Sequence, residues 1–165
     1  MAMLKAVLLL AFWLAGVSVY ADGHGDKPGH HRAIEQACTD LVLDYAYYRD
    51  RADAQAVADL FTADALLRVL GQDFDGNAAI RSRIEQGRGG PVFRHMMSTV
   101  RIFVEDEDHA RGVSYVTVYS APAGELPRPL GAPLGVGEYH DQFVRTEAGW
   151  KIQRREFVPA FMPEQ

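Results

Sequence analysis

The chain has 165 residues, of which 48% are hydrophobic and 24% charged, and a formal net charge of −5. That is enough for one domain with a sizeable core. No basic stretch interleaved with aromatics is present, which argues against a nucleic-acid partner, and Cys38, the only cysteine, cannot form a disulfide within the chain, so stability must come from packing.

At the amino terminus Lys5 is the only charge before an apolar run from Ala6 through Val19, and Val19, Tyr20 and Ala21 end it. A positive start, a short apolar stretch and small residues at the cut are the features of a secretion signal, whereas a spanning helix needs about twenty apolar residues with anchoring flanks. Residues 1–21 are therefore expected to be a cleaved signal peptide, which implies a secreted or periplasmic protein with no stable membrane insertion. Residues 22–30, rich in Gly, His, Asp and Pro, are expected to be a flexible linker, and residues 31–160 the folded domain. Cleavage after Ala21 would expose Asp22-Gly23-His24. A free amine, two backbone amides and an imidazole can then surround Cu(II) in a plane, although the same residues also read as a plain soluble spacer.

From His31 to Arg51, apolar residues recur at Ile34, Ala37, Cys38, Leu41, Tyr45 and Tyr48, the spacing of one buried helical stripe. Leu43 and Tyr47 form a second line on the other side, with Asp50 at its end, so this helix is expected to be covered on two faces. Asp53 is placed to cap a short helix, Ala54 to Phe61. Ala65 to Leu70 reads as a strand, Gly71 to Gly76 as turns, and Asn77 to Gln86 as a third helix closed by Gly87 to Pro91.

After Pro91 the chain turns to Val, Ile, Phe, Tyr and Thr. Val92 to Val104, Ala110 to Ser120, Val136 to Thr146 and Trp150 to Val158 are expected strands, paired as two antiparallel hairpins through Glu105–Asp108 and Glu147–Gly149. The loop from Ala121 to Gly135 is long enough to rim a site. Three helices followed by four long strands form an α+β pattern in which a curved antiparallel sheet wraps around the first helix and leaves a conical pocket.

Tyr45, Asp50 and Asp53, Leu60-Phe61-Thr62 with Asp64, Gly76 with Ala79-Ile80, Arg94-His95, Gly137-Glu138-Tyr139 with Asp141, and Gly149-Trp150-Lys151-Ile152 with Arg155 resemble, in this order, the SnoaL-like group of the nuclear transport factor 2-like superfamily. The resemblance runs over about residues 31–158 and implies a cone-shaped fold, usually dimeric, with an apolar pocket between the long helix and the sheet. Relatives include scytalone dehydratase, ketosteroid isomerase and polyketide cyclases, together with members that only bind.

The resemblance points to Asp50 and His95 as a catalytic pair, with Asp50 as base and His95 as acid or shuttle. The implied reaction is a dehydration or double-bond isomerisation of a hydrophobic cyclic molecule, without a cofactor. Taken alone, Asp50 can equally be a helix-end carboxylate bridged to Arg49 or Arg51, and His95 a strand residue bonded to backbone. Strand parity leaves His95 on a face with Thr99, Arg101 and Phe103, away from Val100, Ile102 and Val104, unless a bulge intervenes. Tyr47, Tyr115, Tyr119 and Tyr139 are candidate phenolic donors in the substrate pocket. Arg154 and Arg155 are candidates for an anionic group or for ion pairs, with Glu138 as partner, and Glu105–Asp108 with His109 reads as a solvated turn. Apolar residues on both sides of the sheet predict a homodimer through its convex face. A noncatalytic module binding a small hydrophobic molecule in the same pocket is the alternative function.

Overall fold

The computed structural model describes residues 28–164. The expected signal segment, residues 22–27 of the expected linker, and the candidate Cu(II) ligands Asp22 and His24 lie outside the described residues. Among the described residues, no helix is long and apolar enough to cross a membrane.

The first helix, α1, spans Pro28–Asp50 and starts three residues before its expected boundary, with a proline in the first turn, where a missing N–H costs nothing. Ile34, Cys38, Leu41 and Tyr45 are buried as the period requires, and Val42 and Ala46 widen the stripe. The second covered face is corrected: Leu43 is 46% and Tyr47 53% exposed. The guanidinium of Arg51, not another element, lies against the Tyr47 ring. Asp50 is buried all the same, because a strand packs against the last turn of the helix.

Ala52, in the left-handed region, turns the chain, and the Asp53 carboxylate accepts the Ala56 N–H at 3.1 Å to start α2, Ala54–Asp59. This helix stops short of the expected Phe61, which instead opens β1, Phe61–Val69, and is buried beside Ile152. Sheet burial outweighs the weak local helical preference there. Leu70 and Gly71 both have positive φ, 50° and 76°, and make a two-residue hairpin turn. The turn leads into β2, Gln72–Asp75, a strand where the sequence suggested only turns. The third helix, α3, covers Asn77–Gln86 as expected.

Four long strands follow: β3 Val92–Val104, β4 His109–Ala121, β5 Gly135–Thr146 and β6 Gly149–Phe161. The curved six-stranded sheet has the order β2-β1-β6-β5-β4-β3, antiparallel except where β1 runs parallel to β6. In β3 the register shifts between Ser98 and Arg101, with Thr99 at φ 48°. That bulge reverses the alternation. Met97 before it and Val100, Ile102 and Val104 after it all pack against the core, and His95, two residues before Met97, shares that side.

Candidate active site

A cavity of about 220 Å³ opens between the carboxyl end of α1 and the sheet, lined by Tyr45, Arg49, Phe93, His95, Tyr139 and Phe157 among others. The i, i+4 spacing of Tyr45 and Arg49 brings both to one face of α1, while the alternation of β3 and β5 turns Phe93, His95 and Tyr139 inward. The walls are mostly apolar, and water-poor surroundings strengthen each polar contact made inside.

Asp50 and His95 meet there. Asp50 Oδ1 lies 2.6 Å from His95 Nδ1, and Asp50 Oδ2 accepts the His95 backbone N–H at 3.0 Å. The topology explains the second bond: β3 is the outer strand of the sheet, so an N–H on its free side needs a partner from outside the sheet, and the end of α1 supplies one. Both side chains are nearly closed to solvent, 8% exposed for Asp50 and 7% for His95. A carboxylate accepts, so this contact is a hydrogen bond in the tautomer of the ring that has its proton on Nδ1. Nε2, on the other edge of the ring, is left without a protein partner among the described residues, and His95 lines the cavity while Asp50 does not. The imidazole therefore faces the cavity, and the carboxylate stands behind it, fixing its tautomer. Asp50 bridges neither Arg49 nor Arg51.

Deeper in the core, Arg155 and Asp141 form a two-pronged ion pair, 2.7 Å at each prong, with both side chains fully buried. The guanidinium lies 4.3 Å from the Tyr45 ring centre and 4.7 Å from that of Tyr139. Burial opposes the charge on Arg155, but the Asp141 carboxylate outweighs it and keeps the group above its ordinary value. Of the roles expected for this arginine it takes the ion pair and not the anionic substrate group, and its expected partner is corrected: Glu138 pairs with His140, and Arg154 with Glu156. Burial also pushes the Tyr139 phenol well above its usual range. It stays a neutral donor, and neither it nor Tyr45 uses its hydroxyl in a hydrogen bond with the described residues.

Cys38 belongs to this buried layer. Burial, helped by the negative charge of Asp141, raises its thiol to about 12. Because the folded state holds the proton more tightly than the unfolded chain, whose thiol ionises near 9, the resulting stabilisation is full below about pH 9 and is lost as pH rises toward 12. The thiol should therefore ignore an aromatic disulfide reagent at pH 8 and react only when denaturant is added, which stopped-flow absorbance can follow.

Of the four candidate tyrosines only Tyr139 reaches the cavity. Tyr47 and Tyr115 are exposed, and Tyr119 lines a neighbouring cleft with Arg94 and Arg128. Tyr115 and Tyr119 have odd positions on β4, where even positions such as Ser114, Val116 and Val118 face the core. Asp106 at the β3–β4 hairpin accepts the backbone N–H groups of Asp108 and His109, as a solvated turn requires. The sequence reading did not assign Tyr45, Arg49, Phe93 and Phe157 to the site. For the first two, the i, i+4 line on α1 was a usable signal.

The model of the SnoaL-like domain family matches residues 31–156. No curated protein matches the chain. Among solved structures, a Mycobacterium tuberculosis protein of unknown function is 25% identical, with 82% of this chain and 77% of that one covered and a TM-score of 0.69. A scytalone dehydratase-like protein of Novosphingobium aromaticivorans is 23% identical over 81% of this chain and 88% of that chain, TM-score 0.68. A hexachlorocyclohexane dehydrochlorinase, LinA type 2, is 14% identical over 80% and 88%, TM-score 0.67. With that family model spanning most of the described residues, the chain belongs to the SnoaL-like domain family.

Proposed function

We propose that this protein is a small lyase or isomerase that moves a carbon-bound proton of a hydrophobic ring compound, and that His95, oriented by Asp50, is the base. The observation that carries the reading is the His95 ring. Its Nδ1 is committed to a buried carboxylate, and its Nε2 is left for whatever occupies an apolar cavity. This exchanges the roles expected from the sequence, with the carboxylate as the positioning group. In an elimination, Nε2 takes the proton, the C–H electron pair becomes the new C=C bond, and the group on the neighbouring carbon departs with its own bonding pair. In an isomerisation the imidazolium returns the proton to another carbon. The Tyr139 hydroxyl is the donor available to a carbonyl oxygen or a leaving group. Support also comes from two structural relatives named for eliminations, a dehydratase-like protein and a dehydrochlorinase.

The test is solvent exchange. A panel of single-ring ketones, hydroxyketones and halocycloalkanes, each with and without a ring carboxylate, is incubated with the protein in D₂O and read by NMR. Deuterium entry or elimination product above a denatured-protein control is the expected result. Specific binding with no exchange across the panel would leave the noncatalytic receptacle instead.

The reading extends to export and assembly. Residues 1–21 would direct secretion, which sequencing of the exported protein should confirm by a start at Asp22. On the face of the sheet turned away from α1, Met96, Phe103 and Tyr115 are exposed by 58%, 48% and 46%. A second copy would cover them. Sedimentation at micromolar concentration should give a dimer, and a monomer there would rule this interface out.

A further inference from the structure

We propose that the cavity selects an anionic substrate, a single ring bearing a carboxylate that Arg49 and Arg83 bind together. The inference rests on the reading of this cavity as a proton-transfer site and narrows its substrate class. Arg49 comes from α1 and Arg83 from α3, and among the described residues they are the only formally charged side chains lining the cavity, with no carboxylate beside them in its wall. In a chain of net charge −5 this is unexpected. Arg68, Arg81, Arg111, Arg154 and Arg155 each hold an aspartate or glutamate, and the other arginines without one, such as Arg51, Arg94 and Arg145, are exposed to solvent. Arg49 and Arg83, both half-buried, instead rest on aromatic faces, 4.7 Å from the centre of Phe93 and 4.8 Å from that of Phe74, and have no ion-pair or hydrogen-bond partner among the described residues.

The nearby carboxylates cannot serve them. Both oxygens of Asp50 are taken by His95, and both of Asp141 by Arg155. The charge of Arg49 nevertheless reaches the interior, since it partly offsets the rise that burial imposes on Tyr139. Two partly desolvated guanidiniums without counter-charge are costly unless an anion completes them, and a flat carboxylate fits a guanidinium fork. Size points the same way: an engineered apolar cavity of about 150 Å³ admits benzene, so about 220 Å³ suits one ring and its substituent.

The experiment is calorimetric titration of the full chain with benzoate and with its neutral isostere benzamide at low salt. Benzoate should bind about tenfold tighter or more. Arg49→Gln and Arg83→Gln should each lower benzoate affinity severalfold, and the double variant should abolish the preference while benzamide affinity holds. Arg81→Gln, an exposed neighbour on α3, should change nothing. Equal binding of the two probes by the unaltered protein, a preference that survives the double variant, or an equal loss in Arg81→Gln would overturn the proposal. His95→Gln separates the two readings, because it should retain the benzoate preference. If the preference holds while no ring compound exchanges its proton, the catalytic reading fails and the anion site stands. Exchange on neutral rings without any benzoate preference gives the reverse.

Discussion

Asp141→Ala should lower the free energy of unfolding by about 3–5 kcal/mol. The change leaves the Arg155 guanidinium fully buried with no counter-charge. Its two prongs to Asp141 would be lost, and one nitrogen, Nη1, already lacks a hydrogen-bond partner. The faces of Tyr45 and Tyr139 remain beside it, but a ring quadrupole contributes only about 0.5–2 kcal/mol. Against a total stability of about 5–15 kcal/mol for a domain, such a loss is large. Removing both charges behaves differently. Asp141→Leu with Arg155→Met deletes the cost of desolvating the pair together with its attraction, so the double variant should recover most of the stability. Urea unfolding followed by circular dichroism distinguishes the cases. A loss below about 1 kcal/mol in Asp141→Ala would mean that the arginine finds water or another partner.

The ion pair also shows what the sequence made legible. Order and type of the long elements followed from period alone: α1 from the Ile34, Cys38, Leu41 and Tyr45 stripe, and β3 to β6 from their β-branched and aromatic runs. The resemblance placed Asp50 and His95 together, and they lie within hydrogen-bond reach. What stayed hidden depended on pairing between distant segments. Strand β2, Gln72–Asp75, is polar and has no alternation of its own, so only its register with β1 defines it. The parity of His95 was ambiguous because one left-handed residue, Thr99, shifts the face of the whole strand. Spacing could not separate Arg155 from Arg154 or name its partner, because a register irregularity between β5 and β6 is what turns Arg155 inward opposite Asp141. Which catalytic group faces the cavity was likewise invisible to spacing, since it follows from the depth at which α1 ends against β3.

His95→Gln should reduce proton transfer about 10²–10⁴-fold on any ring compound the protein turns over, with binding little changed. Glutamine fills similar space but offers no basic nitrogen to the cavity. Asp50→Asn should be almost as damaging. An amide can present its NH₂ to Nδ1, which favours the tautomer with the proton on Nε2 and leaves no lone pair facing the substrate. Because the two residues act as a unit, the double variant should lose little more than His95→Gln alone. Rates that fall only a few-fold in His95→Gln would place the base elsewhere.

The state of one nitrogen is the point on which the mechanism turns. Nitrogen-15 NMR of histidine-labelled full-length protein, with resonances assigned by comparison with His95→Gln, reads it directly. The account predicts that the neutral His95 ring carries its proton on Nδ1, shared with Asp50, and that Nε2 has the shift of a bare, pyridine-type nitrogen that moves when a ring ligand enters the cavity. A neutral ring protonated on Nε2 and bare on Nδ1, or an Nε2 signal indifferent to the ligand, would contradict it.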